Sequence, residues 1–130
     1  MTNKQRAEKA LEYKHKGYNC CQAVTAALAD ITDLTEKQLL DISAGFGAGM
    51  GNMEGTCGAL VGAVIATGSH TQGNGSMRVA RQISEEFANR CGSIKCKEIK
   101  GIGTGRILCS CDECVQNAVE IFCKVLAVEE

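Results

Sequence analysis

The chain has 130 residues, of which 45% are hydrophobic and 22% are charged, a balance that is ordinary for one folded domain over residues 1–130. Fourteen basic and fifteen acidic residues give a formal net charge of -1, so nucleic acid and anionic membranes are both disfavoured as partners. The N-terminus shows no secretory signal and the most apolar run, 59–66, is too short to cross a bilayer, so we expect a cytoplasmic protein.

Amphipathic patterns in the first third of the chain predict three helices. The first spans 2–16, and the second spans 20–29 behind Asn19, which is a favourable N-cap residue. Thr35, with a glutamine three residues later, forms a capping box that opens a third helix through about residue 44. Each start signal satisfies backbone N–H groups that the first helical turn would otherwise leave unpaired.

A glycine-rich loop is expected after the third helix. Residues 45–55 place glycine at alternate positions and again at Gly55, which excludes a regular helix and indicates close approach of the backbone to its neighbours. Thr56 is expected to cap a helix over 57–67 that consists almost wholly of small and apolar residues. Because a helix that is apolar on every side is buried, we predict that this is the central helix.

The C-terminal half is predicted to be helical as well. Ser76 is expected to cap a helix through about residue 89, and a glycine-punctuated stretch follows over 91–105. Ser110 and Glu113 form a capping box for a last helix with a broad apolar face. No alternating β-branched run indicates a strand. The predicted fold class is therefore all-α, a compact antiparallel helical bundle of about five to six helices with a glycine-rich loop before a buried central helix.

Cysteine is the most informative residue of this chain. The nine cysteines are Cys20, Cys21, Cys57, Cys91, Cys96, Cys109, Cys111, Cys114 and Cys123. The expected reducing compartment, the odd count and the sufficient length for a core all argue against a disulfide framework. The cysteines therefore indicate thiolate ligation of a metal or active-thiol chemistry, and inert packed thiols are the alternative.

Several cysteines fall at predicted helix starts. Cys20 follows Asn19, Cys57 follows Thr56, and the Cys-x-x-Cys pair Cys111 and Cys114 follows the N-cap of the last helix. Unpaired N–H groups and the positive end of the helix dipole stabilise negative charge at such places, which lowers a thiol pKa and favours thiolate ligands.

The same residues resemble a known family. The segment Gly17-Tyr18-Asn19-Cys20, the block Cys57-Gly58-Ala59-Leu60-Val61-Gly62, and then Cys96 and Cys114 are similar to the redox-active proteins named for their C_GCAxxG_C_C pattern. The resemblance implies that Cys20, Cys57, Cys96 and Cys114 are the redox thiols or metal ligands. It also implies that Gly58, Ala59 and Gly62 form the glycine-containing block beside a cofactor, and that the other five cysteines are packed or auxiliary thiols.

Three functions stay open at this point. The preferred hypothesis is a redox-active, electron-transfer protein whose four cysteines meet in the bundle and bind an iron–sulfur cluster or another thiolate-bound metal. The enzyme alternative is a cofactor-free dithiol/disulfide oxidoreductase, and the third is a structural or interaction module with inert buried thiols. We expect a redox partner protein, no nucleic acid and no membrane as partners, and a homodimer stays open.

Overall fold

Seven α-helices form the computed structural model, which describes residues 1–130 and contains no β-strand. The helices are α1 (Asn3–His15), α2 (Cys20–Ala27), α3 (Glu36–Ser43), α4 (Gly58–Thr71), α5 (Ser76–Cys91), α6 (Cys96–Ile99) and α7 (Cys111–Val125). A 3₁₀ turn lies at Ala29–Ile31 and a π-type turn at Gly49–Met53. The predicted all-helical bundle is confirmed, and the additional helix is α6, whose single turn is too short to give a periodic pattern.

The predicted caps of α2 and α3 are confirmed. Asn19 Oδ1 accepts a hydrogen bond from the Gln22 backbone N–H at 2.9 Å, and Thr35 Oγ1 accepts one from the Gln38 backbone N–H at 3.1 Å. In both cases the glutamine side chain accepts the N–H of the cap residue, which completes a capping box. These caps fix the first residue of each helix, and for α2 that residue is Cys20.

Two other predicted caps are wrong. Thr56 does not cap α4, because its backbone pairs with Lys95 in an isolated antiparallel bridge and Cys57 occupies the N-cap position instead. Ser76 does not precede α5 but is its first helical residue, behind Gly75 in the left-handed conformation. The Ser76 hydroxyl instead lies 2.6 Å from the Thr71 hydroxyl.

The last helix begins at the predicted place. The Ser110 hydroxyl accepts a hydrogen bond from the Glu113 backbone N–H at 3.2 Å, which makes it the N-cap of α7. The Glu113 carboxylate accepts from the Ser110 hydroxyl at 2.9 Å instead of from the Ser110 backbone, so the capping box is incomplete.

The buried centre of the bundle consists of two helices. No residue of α4 from 58 to 69 is exposed, as predicted for a central helix, and α4 packs against α2, α5 and α7. Every residue of α2 except Gln22 is buried too, which its predicted apolar stripe did not anticipate. Helix α4 continues to Thr71 because Gly68 is tolerated inside it and the left-handed residue that ends it is Gln72. None of the seven helices combines the length and apolar character needed to cross a bilayer.

Gly62 is a position at which the backbones of α2 and α4 approach closely. A Cβ added there would lie 2.9 Å from the Cys21 carbonyl oxygen and 3.0 Å from the Val24 Cβ atom. We expect Gly62→Ala to lower the free energy of unfolding by about 1–3 kcal/mol, because both neighbours are fixed in a packed helix. Urea denaturation of the reduced protein measures this change.

The matched control is Gly68→Ala on the same helix, where an added Cβ meets no atom within 4 Å. This variant should gain about 0.5–1 kcal/mol, since alanine favours helix over glycine. Equal effects of the two substitutions would contradict the close packing of α2 on α4.

Candidate functional site

The four cysteines indicated by the resemblance all lie at the N-terminal ends of helices. Cys20 is the first residue of α2, Cys57 is the N-cap of α4, Cys96 is the first residue of α6, and Cys114 lies in the first turn of α7. The structure brings these ends together around one narrow pocket. Its lining residues are Cys20, Cys57, Cys96, Ile99, Lys100, Cys109, Cys111 and Cys114. Eight of the nine cysteines of the chain are buried, and Cys111 is half-buried.

A two-stranded contact without regular strands joins Cys57 to Cys96. The Cys57 backbone N–H donates to the Ile94 carbonyl at 2.7 Å, and the Cys96 backbone N–H donates to the Gly55 carbonyl at 3.1 Å. These bonds flank the Thr56–Lys95 bridge. They hold the segment that precedes α4 against the segment that precedes α6. A single bridge leaves no periodic pattern, so sequence reasoning could not find it.

Glycines let the sulfur atoms come close to the backbone. A Cβ on Gly58 would lie 2.5 Å from the Cys20 Sγ atom, and a Cβ on Gly49 would lie 2.6 Å from the Cys96 Cβ atom. The Ala48 backbone N–H donates to the Cys20 sulfur, which favours its thiolate form. The predicted close approach of the glycine loop therefore occurs at two of the four cysteines. Gly62, by contrast, contacts α2 instead of a thiol.

Cys57 is the thiol with the strongest tendency to ionise. Hydrogen bonds from the thiols of Cys114 and Cys20, and then from the backbone N–H groups of Ala59 and Leu60, lower its pKa to about 3. The same hydrogen bonds raise the pKa of Cys20 and of Cys114, because those thiols are donors. The metal-free site therefore favours a thiolate at Cys57, flanked by the neutral thiols of Cys20 and Cys114.

A second group of sulfurs adjoins this thiolate. The Sγ atoms of Cys91, Cys109 and Cys114 all lie within 4.8 Å of one another, and the three residues are 1%, 8% and 3% exposed. Cys91 is the last residue of α5, and Cys109 lies immediately before the N-cap of α7. This buried group could hold a metal ion. The structure thus joins Cys91 and Cys109, which the resemblance left outside the set, to Cys114 inside it.

The Asn117 side chain orients two of these sulfurs. Its amide Nδ2 donates to the Cys91 sulfur at 3.4 Å and to the Cys109 sulfur at 3.8 Å. Hydrogen bonds from Cys114 and then Asn117 lower the pKa of Cys91 to about 7 against the opposing effect of burial, while burial raises the pKa of Cys109 to about 11. Cys91 is therefore the member of this group that ionises most readily.

One sequence signal could have identified Cys91. Val79, Ile83 and Phe87 fall four residues apart on α5, and Cys91 continues the same row toward the core. Cys109 carries no comparable signal, because it stands in an irregular segment before α7. Its contact with Cys91 depends on the packing of α5 against α7.

The remaining cysteines have separate environments. Burial raises the pKa of Cys21 to about 12 and that of Cys123 to about 11. Cys123 lies near the buried Arg6, whose guanidinium pairs with Asp30 at 2.9 Å, and it does not line the cysteine pocket. Lys100 does line the pocket; the nearby sulfurs of Cys111 and Cys96 raise its pKa, although burial opposes this.

Comparison with known proteins gave one match. The family described as "Putative redox-active protein (C_GCAxxG_C_C)" matches residues 18–125. Searches of the curated proteins and of the solved structures found no match.

The charge state of Cys57 gives a pH-dependent prediction. At about pH 5 an ordinary thiol, whose pKa is about 8.5, is almost fully protonated. We expect the reduced, metal-free protein to retain the ultraviolet absorbance of about one thiolate at this pH, because the pKa of Cys57 is about 3. Cys57→Ser should remove that absorbance. The control Cys123→Ser should leave it unchanged, and equal absorbance in all three proteins would exclude an ionised Cys57.

Proposed function

The chain belongs to the C_GCAxxG_C_C family of redox-active proteins, and from this premise we propose that it transfers electrons through a thiolate-bound metal centre, preferably an iron–sulfur cluster. The observation that carries the proposal is a continuous group of buried sulfurs. It runs from Cys20 through Cys57 and Cys114 to Cys91 and Cys109. Cysteine thiolate is the usual protein ligand of iron–sulfur clusters and of other soft metal ions.

The proposed ligands of the cluster are Cys20, Cys57, Cys96 and Cys114. All four line the same pocket, and each comes from a different helix, so the fold presents four separate sulfurs to one place. At the N-terminal end of α4 the backbone N–H groups of Ala59 and Leu60 donate to the Cys57 sulfur, and in the preceding loop the Ala48 N–H donates to the Cys20 sulfur. Such an environment offsets part of the negative charge that a thiolate-ligated metal brings into the interior.

The residues around the pocket define what the protein contributes. A bound metal would supply the reversible one-electron change. Backbone N–H groups of Ala48, Ala59 and Leu60 donate to the sulfurs and stabilise the more negative, reduced state, which raises the reduction potential. Gly58 provides the space for Cys20 to reach this position. Apart from Lys100, the residues that line the pocket are apolar. This apolar lining limits the access of water to the sulfurs.

The arrangement argues against inert packing of the thiols. Buried cysteines that serve only as small hydrophobic residues have no reason to cluster, and Cys123, which lies beside Arg6 and outside the pocket, illustrates such a thiol. The Cys57 sulfur instead forms hydrogen bonds with the thiols of Cys114 and of Cys20. A site in which one thiolate is stabilised by two thiols is prepared for metal ligation or for thiol chemistry.

A cofactor-free dithiol oxidoreductase is the second candidate, and the Cys57 thiolate favours it. Its attack on a substrate disulfide would form a mixed disulfide and release one substrate thiol. Cys20 or Cys114, both in contact with Cys57, would then form a protein disulfide and release the second thiol. The substrate disulfide gains two electrons and the protein loses two. The 7% exposure of Cys57 restricts this chemistry to small or deeply inserting substrates.

We also propose that the protein exchanges electrons with a redox partner protein, which contacts the surface beside the pocket. The loop over 100–110 has pocket-lining residues at both of its ends and carries the exposed side chains of Ile102, Ile107 and Leu108. Leu108 is held by a hydrogen bond from its N–H to the Ile99 carbonyl at 2.9 Å. An exposed apolar surface next to a buried redox site suits brief contact with another electron carrier.

The proposal is tested by measuring the iron, zinc and acid-labile sulfide content of protein purified without oxygen. We expect stoichiometric iron and sulfide together with visible charge-transfer absorption. Cys57→Ser should lose the metal, because Cys57 contacts two further thiols of the site. Cys123→Ser is the matched control, since it removes a buried thiol outside the pocket and should retain the metal.

The alternatives give different results in the same experiment. Metal-free protein that forms a reversible disulfide between Cys57 and Cys20 or Cys114 would support the oxidoreductase. Metal-free protein without a reversible disulfide would contradict both functions. Unchanged metal content in Cys57→Ser would exclude Cys57 as a ligand.

A further inference from the structure

The group of Cys91, Cys109 and Cys114 has an unusual donor set for a buried metal site. It consists of three sulfur atoms within 4.8 Å of one another and includes no histidine or carboxylate ligand. The Glu113 carboxylate lies nearby in the chain but is occupied by the Ser110 hydroxyl at 2.9 Å. Soft thiolate donors select soft metal ions, so the group disfavours magnesium, calcium and manganese.

The number of donors distinguishes among the soft metal ions. Zinc in proteins takes four ligands, and where the protein supplies three, water supplies the fourth. Here the three residues are 1%, 8% and 3% exposed, so water has little access to a fourth position. A metal ion that is satisfied by three sulfurs fits such a site better than zinc does.

The spacing of the sulfurs suits direct ligation. Thiolate–metal bonds measure about 2.3 Å, so sulfurs no more than 4.8 Å apart can share one ion after small side-chain rotations. The Asn117 amide already directs its N–H group at two of the sulfurs, a contact typical of the residues that orient metal ligands. Cys109 and Asn117 come from the first part of α7 and the residues just before it, and the packing of α5 on α7 brings Cys91 to them.

We propose that Cys91, Cys109 and Cys114 form a three-coordinate trithiolate site for a soft monovalent metal ion of the Cu(I) type. Binding changes no oxidation state: Cu(I) forms three metal–sulfur bonds, and each sulfur that is still protonated releases its proton to solvent. This inference does not depend on the proposed cluster. Because Cys114 belongs to both groups, Cu(I) at the trithiolate site withdraws one proposed ligand from the cluster.

Cu(I) titration of reduced, metal-free protein against a Cu(I)-selective chelator tests this site. We expect one equivalent of Cu(I) bound through three sulfurs, as counted by X-ray absorption. Cys91→Ala and Cys109→Ala should each weaken binding by about 100-fold and lower the number of sulfur neighbours, since each removes one ligand. Cys20→Ala and Cys123→Ala should keep the affinity within about threefold, because neither sulfur belongs to the trithiolate group.

Circular dichroism and the unfolding midpoint show whether each variant is folded. Cys91→Ala and Cys109→Ala each remove a different ligand, so the site can be tested with either variant if the other does not fold. Cu(I) bound through two sulfurs, or lost in Cys20→Ala, would place the ion elsewhere and overturn the proposal. Tighter binding of zinc than of Cu(I), with four ligands, would overturn it too. Iron and sulfide are measured separately on protein purified without oxygen, so failure of the trithiolate site and failure of the cluster are distinguishable.

Discussion

The close approach of α2 and α4 determines the arrangement of the thiols. Without side chains at Gly58 and Gly62, the two helices pack nearly backbone to backbone, and the Cys20 sulfur reaches the N-terminal end of α4. The Cys57 sulfur at that end is then within hydrogen-bonding distance of Cys20. Any Cβ at Gly58 would occupy the position of the Cys20 sulfur. The tight packing of α2 on α4 and the proximity of the Cys20 and Cys57 sulfurs therefore have one common cause, the absence of side chains at Gly58 and Gly62.

Burying a negatively charged sulfur needs compensation, and helix ends supply it. An isolated buried charge costs several kcal/mol, whereas N–H groups at a helix start have no partner in the helix and are available to a thiolate. Cys57 uses the N–H groups of Ala59 and Leu60 in this way. The same logic accounts for the five pocket-lining cysteines that cap a helix, begin one or lie in its first turn, which are Cys20, Cys57, Cys96, Cys111 and Cys114. Negative charge at this pocket is stabilised first by the neighbouring thiols and then by backbone N–H groups, and Lys100 is the charged side chain that lines it.

Local sequence signals identified much of the fold but only part of the site. The caps at Asn19 and Thr35 and the apolar character of α4 depend on neighbouring residues, so they could be predicted. The Thr56–Lys95 bridge joins residues 39 positions apart by number and has no local signature, and it also displaced the expected cap of α4. The contact between Cys91 and Cys109 likewise arises from helix packing. Family resemblance indicated four cysteines, and the structure added Cys91, which continues the apolar row of α5, and Cys109, which has no comparable signal.

Cys114 links the two groups of sulfurs, and this position governs their protonation. Its single S–H group can donate to Cys57 or to Cys91, the two thiols whose pKa is lowered, and its own pKa is raised as a result. Ionising all three side by side would place adjacent negative charges in a buried site, so the metal-free protein keeps Cys114 protonated. A metal ion at either group must displace this proton, because only the thiolate is a ligand. Metal binding at either proposed site would therefore be coupled to proton release at Cys114, and acid would oppose it at both through the same sulfur.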